Sequence, residues 1–238
     1  MSLTVRGLVA GRAKVPVVRD LDIDAPDGTV LAVLGPNGAG KSTLMLTLAG
    51  LLPRLGGEVA VDGNALSSGN PLRANRSGVV LVPDNRALFT GLTVADNVSI
   101  ARRRGGMSDA DVQELFPALE ARWKGAAGSL SGGEQQMLAV ARALVQKPSV
   151  LLIDELSMGL APVIVESLLP MVRRIADTSG ATVVLVEQHV RLALEVADDA
   201  LVLVHGEVTL RGSARDLRRY PDRLRQAYFG GEPAHATS

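Results

Sequence analysis

Apolar residues along the chain form short continuous runs and alternating stretches, and both patterns predict β-strands. In the predicted strand at 17–24, Leu21, Ile23 and Ala25 alternate with Asp20, Asp22 and Asp24, which predicts a strand with one face in water. The strands at 201–204 and 208–211 form a predicted hairpin in which His205 is a turn residue. The full set of predicted strands is 3–9, 17–24, 30–34, 58–63, 78–82, 150–153, 182–186, 201–204 and 208–211.

Helical repeats and capping residues predict helices between most of these strands. They span 44–49, 93–100, 108–119, 131–146 and 163–177, with one more ending at 197 and one or two short helices near the C-terminus. Pro170 is expected to kink the helix at 163–177, because proline removes a backbone donor. Trp123, Tyr228 and Phe229 are interpreted as packing residues. The pattern predicts one α/β domain over residues 1–230, with a helical insert at about 87–145 and a disordered tail at 231–238.

Composition and charge limit the classes of partner that we expect for this protein. The 238 residues carry 25 basic and 25 acidic side chains, so no overall field favours nucleic acid or an anionic membrane surface. The sequence contains no cysteine, which excludes a disulfide framework and thiol chemistry. No apolar run reaches the roughly 18 residues of a membrane span, and the N-terminus does not resemble a signal peptide. We therefore expect a soluble, cytoplasmic protein that contacts a membrane only through partners.

The stretch between the strand at 30–34 and the helix at 44–49 fits the phosphate-loop pattern G-x-x-x-x-G-K-[ST]. Its residues are Gly35, Pro36, Asn37, Gly38, Ala39, Gly40, Lys41, Ser42 and Thr43. The glycines allow consecutive N–H groups to converge on phosphate oxygens at a helix N-terminus. In this interpretation Lys41 reaches the β- and γ-phosphates and the Ser42 hydroxyl binds Mg²⁺. The alternative is a glycine-rich turn without a ligand.

A pair of acids, Asp154 and Glu155, follows the buried strand at 150–153. Ligands bind at this end of the strands in open α/β sheets. We expect Asp154 and Ser42 to hold Mg²⁺, and Glu155 to orient and deprotonate a water for phosphoryl transfer. An ordinary turn at the strand end is the alternative interpretation.

A second glycine pair opens the helix that begins after Ser131. Ser131 and Glu134 form a predicted capping box, which explains the segment without a ligand. However, Gly132 and Gly133 cost about 1 kcal/mol each in a helix relative to alanine. They also leave backbone N–H groups bare at the positive end of the helix, so something negative is expected there.

Together these motifs resemble the ATP-binding subunits of ABC transporters, over nearly the whole chain. The stretch at 130–136 is similar to the family's signature motif, and 151–155 to its Walker B strand. More narrowly, the sequence resembles the second ATPase subunit of branched-chain amino acid importers. The segments that carry this resemblance are Leu81-Val82-Pro83, Leu92-Thr93-Val94, Ser157-Met158-Gly159-Leu160-Ala161-Pro162 and Val186-Glu187-Gln188.

The resemblance implies a P-loop ATPase core with an antiparallel β subdomain and a helical subdomain, using ATP and Mg²⁺. It implies a head-to-tail dimer, with itself or with a sister ATPase, in which Ser131, Gly132 and Gly133 of one subunit close over ATP held by the other. It also implies that the helical insert contacts transmembrane permease subunits at the cytoplasmic face of the plasma (inner) membrane.

Four positions depart from the family pattern. Arg12 stands where many members have an aromatic residue that stacks on adenine, and Asp84 stands where glutamine is usual. Leu156 replaces a proline after the acidic pair, and Gln188 occupies the position of the switch histidine. A neutral amide can hydrogen-bond the γ-phosphate or a water but cannot carry a proton as imidazole does, so hydrolysis is expected to be slow.

From the sequence we therefore expect an ATPase that powers an importer of branched-chain amino acids, with Lys41, Glu155 and Gln188 at the reacting phosphate. Import of urea, amides or other amino acids is an alternative, as is a soluble ABC ATPase of repair or translation. A further alternative is a regulator that binds ATP with little hydrolysis.

Overall fold

A computed structural model describes residues 2–229, excluding the side chain of Phe229. The predicted packing of Phe229 and the predicted tail at 231–238 lie outside what it describes. Its strands are β1 (Leu3–Arg12), β2 (Val15–Ala25), β3 (Val30–Leu34), β4 (Arg54–Val61), β5 (Asn64–Ala65), β6 (Val79–Val82), β7 (Val150–Asp154), β8 (Thr182–Val186), β9 (Asp199–Val204) and β10 (Glu207–Ser213). Its α-helices are α1 (Lys41–Leu48), α2 (Pro71–Arg76), α3 (Val94–Ala101), α4 (Asp109–Leu115), α5 (Pro117–Glu120), α6 (Gly132–Leu144), α7 (Pro162–Ser179), α8 (Val190–Val196), α9 (Ala214–Arg219) and α10 (Pro221–Phe229).

The strands form two sheets. Six of them lie in the order β10-β9-β3-β8-β7-β6, parallel except for β10, which pairs antiparallel with β9. The other four form an antiparallel sheet in the order β2-β1-β4-β5. The hairpin predicted around His205 is the β9–β10 pair. This arrangement confirms the predicted α/β class with an antiparallel β subdomain.

Strand β3 lies at the centre and divides the core in two. Because successive side chains of a strand point to opposite faces, Val30, Ala32 and Leu34 join a core with helices α3 to α10. Leu31 and Val33 join a second core formed with α1 and the antiparallel sheet. All five side chains are buried, as the continuous apolar run predicted. The end of β3 thus lies where both cores meet.

Between β6 and β7 the chain forms the helices of the predicted insert. The predicted helix at 108–119 is wrong in one respect, because α4 ends at Leu115 and a new helix begins at Pro117. Proline disfavours helical geometry in the residue before it, and Phe116 has φ −127° and ψ 71°. The apolar spacing was still informative, since Val112, Phe116 and Leu119 are all buried.

Other elements also differ from the predictions, most of them by a few residues at their ends. Helix α1 begins at Lys41, three residues early, because Gly40 with φ 108° ends the loop. Strand β4 begins at Arg54 and continues through Gly57, where we expected a turn; the register with β1 shifts there. Helix α2 was not predicted; Asn70 caps it by accepting a hydrogen bond from Arg73 N at 3.0 Å. Helix α7 continues past Pro170 as one helix, and the kink stays a prediction.

Within residues 2–229, no helix is both long and apolar enough to span a membrane.

Candidate functional site

The phosphate-loop residues connect β3 directly to α1. Gly35 has φ 148°, and a Cβ there would lie 2.1 Å from the carbonyl oxygen of Leu203, so only glycine fits. At Gly40, with φ 108°, a Cβ would lie 2.8 Å from the side chain of Val18. The loop therefore packs closely against β9 and β2, which leaves little freedom to its backbone.

A cavity of about 160 Å³ opens at the N-terminus of α1. Lys41 and Glu155 both line it, so that the cavity wall carries one positive and one negative side chain. The remaining lining residues are Val17, Asn37, Gly38, Gly40, Ser42 and Thr43. The structure thus brings Glu155 to the phosphate loop, although Glu155 follows the loop residues by 112 to 120 positions in sequence.

Lys41 is held by backbone carbonyls. Its Nζ donates to Gly35 O at 2.8 Å and to Pro36 O at 3.0 Å. Burial lowers the pKa of the Lys41 ammonium, while Glu155 and Asp154 oppose that shift. The amine therefore lies within the loop, close to where phosphates are expected to bind.

Asp154 ends β7 and is buried. Its pKa is raised from 3.8 to about 6. Burial is the largest cause, Glu155 and Asp84 act in the same direction, and Ser42 and Lys41 oppose the shift. The Oδ1 atom of Asp154 is buried without a hydrogen-bond partner. A buried carboxylate oxygen without a donor is unfavourable unless a cation or proton approaches it.

Asp154 and Ser42 fit the predicted Mg²⁺ site. The Ser42 hydroxyl lies close enough to the Asp154 carboxyl to lower its pKa, and the unpartnered Oδ1 adds a hard oxygen ligand of the kind that Mg²⁺ prefers. Among the described residues, no group of three or more His, Cys, Asp or Glu side chains could hold a metal ion. The other ligands of an ion here would therefore be phosphate oxygens and water, as is usual for Mg²⁺.

Replacing Asp154 with asparagine is expected to stabilise the nucleotide-free protein at high pH. The folded state holds a proton at Asp154 more tightly than the unfolded chain does, because the pKa rises from 3.8 to about 6. The free energy of unfolding therefore falls as pH rises from about 4 to about 6, and the ionised carboxylate then costs about 2–3 kcal/mol. Urea denaturation of Asp154→Asn should show a gain of about 2 kcal/mol at pH 8 and almost none near pH 4.

The exposed Asp199 provides the control for this experiment, and Asp199→Asn should change stability by less than about 0.5 kcal/mol at either pH. Equal stability of Asp154→Asn and the parent protein at pH 8 would show that Asp154 is not strained by its burial.

The segment at 131–133 forms the predicted capping box. Ser131 Oγ accepts from Glu134 N at 3.3 Å, and Glu134 Oε2 accepts from Ser131 N at 2.8 Å. Gly133 is buried, and a Cβ there would lie 2.8 Å from a methyl group of Ile164, which gives this glycine a packing reason. Gly132 is exposed. No residue of the segment at 131–133 lines the cavity at α1. An anion bound by this segment would therefore lie outside that cavity.

Besides Ser131, Gly132 and Gly133, seven predicted site residues lie outside the lining of the phosphate cavity: Arg12, Gly35, Pro36, Ala39, Asp84, Asp154 and Gln188. Arg12 is exposed at the end of β1, Asp84 is exposed after β6, and Gln188 is exposed after β8. Asp84 is nevertheless close enough to Asp154 to raise the pKa of that carboxyl. Leu156, where the family has proline, is buried in the core with the helical insert. Roles for Arg12, Asp84 and Gln188 in binding nucleotide stay predictions.

The ABC transporter family model matches residues 18–157, more than half of the chain. The chain belongs to the ABC transporter ATPases. It is 38% identical to the high-affinity branched-chain amino acid transport ATP-binding protein BraG of Pseudomonas aeruginosa, over 92% of this chain and 95% of that protein. It is 37% identical to the probable branched-chain amino acid transport ATP-binding protein LivF of Archaeoglobus fulgidus, over 88% of this chain and 91% of that protein.

Solved structures agree with this assignment. An ATP-binding subunit of an ABC transporter superposes with a TM-score of 0.80 at 26% identity, covering 97% of this chain and 99% of that one. The predicted P-loop ATPase fold is therefore confirmed. As an ABC ATPase, the chain binds ATP and hydrolyses it to drive transport.

Two contacts in this ABC ATPase were missed from the sequence. The first involves Arg86, which follows Asp84 in the loop after β6. Its Nε donates to Gln136 Oε1 at 2.9 Å and its Nη1 to Gln135 Oε1 at 3.0 Å. Arg86 thus joins the loop of Asp84 to the first turns of α6. The contact crosses about 50 residues, and no local signal indicates it.

The second contact joins Glu187 to Ser157. Ser157 N donates to Glu187 Oε1 at 3.0 Å, and its hydroxyl donates to Oε2 at 2.6 Å. Burial raises the pKa of Glu187, and the bonds from Ser157 and Gln188 oppose that shift. Glu187 precedes Gln188, and Ser157 lies two residues after Glu155. The pair therefore fixes the turn after the acidic pair relative to the end of β8.

Replacing Glu187 with alanine is expected to destabilise the ABC ATPase by about 2–4 kcal/mol, because it leaves two buried donors of Ser157 without an acceptor. Urea denaturation measures the change. Glu195→Ala, at an exposed position of α8, is the matched control and should cost less than about 0.5 kcal/mol. A cost as small as that of the control would show that water replaces the carboxylate without penalty.

Proposed function

We propose that this chain is the ATPase subunit of an importer for branched-chain amino acids, using Mg²⁺-ATP. The geometry that carries the ATPase part is the cavity at α1, where Lys41, Ser42 and Glu155 meet beside the unpartnered Oδ1 of Asp154. The names of the two relatives, BraG and LivF, support the solute, together with coverage of nearly the whole chain.

Each residue of the site has one task in this proposal. The loop N–H groups and Lys41 bind the phosphates, and Ser42 and Asp154 hold Mg²⁺, which neutralises phosphate charge when bound. Glu155 accepts a hydrogen bond from the attacking water and takes its proton as the water attacks. Backbone bonding of Glu155 N to Val186 O at 3.0 Å holds this residue at the end of β7. Gln188, two residues after Val186, would hydrogen-bond the γ-phosphate or the water.

Subunits of this family dimerise and associate with permease subunits in transporter complexes. For this chain we propose a head-to-tail dimer, formed with itself or with a sister ATPase. In that dimer, Ser131, Gly132 and Gly133 would face ATP held by the other subunit, which fits their absence from the lining of their own cavity. The chain would then lie at the cytoplasmic face of the membrane through its permease partners.

A pull-down tests the proposal. The chain is recovered from its native membranes in mild detergent, and the co-purifying proteins are identified by mass spectrometry. We expect polytopic permeases and a sister ATPase. Solute-stimulated ATP hydrolysis by the recovered complex then separates leucine, isoleucine and valine from urea and short amides. Stimulation by urea alone would refute the amino acid assignment while leaving the transport ATPase intact.

The helical insert exposes apolar side chains that fit a permease contact. Phe89 is 48% exposed, Leu92 37% and Ile100 60%. Phe89 is held outward: its N–H donates to Asn97 Oδ1 at 3.0 Å, and Arg142 lies 5.0 Å from the centre of its ring. Exposed apolar residues held rigidly are typical of interface anchors.

We expect Phe89→Asp and Ile100→Asp each to reduce permease recovery at least about tenfold, because a charge would be buried in an apolar contact. ATP binding by the isolated chain should not change. Tyr220→Asp is the control, since Tyr220 is also 48% exposed but lies outside the insert. Full recovery of permease with both insert variants would place the contact elsewhere.

A further inference from the structure

A second cavity lies away from the phosphate loop, between α8, α9 and α10. Its volume of about 540 Å³ is within the range of small-molecule sites. The walls are apolar and are formed by Val190, Leu194, Leu217, Pro221 and Leu224. Water gains few hydrogen bonds from such walls, so an apolar group is expected to displace it favourably.

The charged residues at this cavity are all basic. Arg191, Arg218 and Arg225 line it, and among residues 2–229 no carboxylate does. Arg191 has an ion pair with Glu195 at 3.7 Å, and Arg225 one with Asp222 at 2.7 Å; both pairs are exposed and therefore weak. Arg218 makes no ion pair within the part of the chain that the structure describes. One guanidinium is thus available, and two others can exchange partners at little cost.

We propose that this cavity binds a small carboxylate with an apolar body. The apolar walls would take the body, and Arg218 would bind the carboxylate through the two parallel hydrogen bonds that guanidinium groups offer. Gly230–Ser238, which follows α10 in sequence, fits this cavity poorly because it has no large apolar side chain. The proposal does not depend on which solute the transporter carries.

Two of the residues that line the cavity lie close to predicted residues of the ATP site. Val190, in its wall, is the first residue of α8 and comes two residues after Gln188. Tyr228 lines the cavity, and its hydroxyl is buried near the backbone of Gly35, the first residue of the phosphate loop, without a hydrogen-bond partner among the described residues. A ligand that orders these two residues would change nucleotide affinity, and nucleotide would change ligand affinity by the same factor. The cavity therefore has the position of a regulatory site.

Octanoate is the probe for this proposal, and octan-1-ol is the neutral ligand of similar length. We expect isothermal titration of the full chain to show octanoate binding at least about tenfold tighter than octan-1-ol, because of the charge-assisted bond. Arg218→Glu should weaken octanoate binding at least about tenfold. Arg215→Glu is the matched control, because Arg215 is exposed on the same helix but does not line the cavity; its effect should stay within about twofold.

A fluorescent ATP analogue measures the coupling. Saturating octanoate should change its affinity by about fivefold or more, and Arg218→Glu should abolish that change. Equal binding of octanoate and octan-1-ol, or equal losses in the two arginine variants, would overturn the proposed recognition of a carboxylate. Octanoate binding that appears only after removal of residues 231–238 would assign the cavity to that segment instead. Unchanged nucleotide affinity with bound octanoate would refute the regulatory role.

Discussion

Replacing Glu155 with glutamine is expected to lower the rate of ATP hydrolysis by about 10²- to 10⁴-fold while ATP binding persists. The amide keeps the size of the side chain and can still hydrogen-bond a water, but it cannot accept the proton that the water loses. Glu155 lines the cavity at the phosphate loop, and its backbone, with φ 53°, is in the left-handed region. That rare backbone conformation persists only where the surroundings enforce it, which is common at functional sites.

Phosphate release in steady state and equilibrium binding of a fluorescent ATP analogue separate the two effects. We also expect the Glu155→Gln protein to accumulate as a stable dimer with ATP bound. Hydrolysis would no longer separate the two subunits of the proposed dimer. Glu166→Gln is the matched control, because Glu166 is exposed on α7. Turnover of Glu155→Gln at the rate of this control would show that another group activates the water.

Local patterns in the sequence predicted the elements that surround the ATP site. The apolar run of β3, the glycines after it and the acids after β7 all depend on neighbours in the chain, and the structure has them as predicted. The capping box of Ser131 was likewise readable, because its partner Glu134 lies three residues away. The rule that ligands bind at the carboxyl ends of the strands in open α/β sheets then joined Ser42, Asp154 and Glu155 into one predicted site.

Contacts between distant segments could not be predicted in the same way. Ser157 and Glu187 are 30 residues apart, and only the pairing of β7 with β8 brings them together. Glu187 was named in the sequence only as part of a segment that resembles the family, and its complete burial was not predicted. For Gly133 the sequence suggested an anion site. The structure gives a second explanation, because a side chain at this position would collide with Ile164.

The Asp154 site shows why binding and stability oppose each other here. Its buried carboxylate lacks a donor at Oδ1, and Glu155 and Asp84 add negative charge nearby. The same field that raises the pKa of Asp154 would attract a divalent cation, and it would repel the phosphates of ATP without one. Lys41, which lines the same cavity, is a positive group of the chain that can offset this negative charge.

Replacing Lys41 with alanine is therefore expected to weaken ATP binding by at least about 100-fold, which corresponds to about 3 kcal/mol. In the nucleotide-free protein the Lys41 ammonium is bound to two carbonyls, Gly35 O and Pro36 O. On binding, phosphate oxygens can replace those neutral acceptors, and the hydrogen bonds become charge-assisted on both sides. Without Lys41, the carboxylates of Asp154 and Glu155 would face the phosphates with Mg²⁺ as the remaining compensating charge.

Titration with a fluorescent ATP analogue measures this loss, and circular dichroism confirms that Lys41→Ala is folded. Lys124→Ala removes an exposed lysine of the helical insert and should change ATP affinity by less than about twofold. A loss below about threefold in Lys41→Ala would mean that the loop backbone alone holds the phosphates. A large loss that Mg²⁺ does not restore is the expected result, because the ion and Lys41 contact different oxygens of the nucleotide and neither replaces the other.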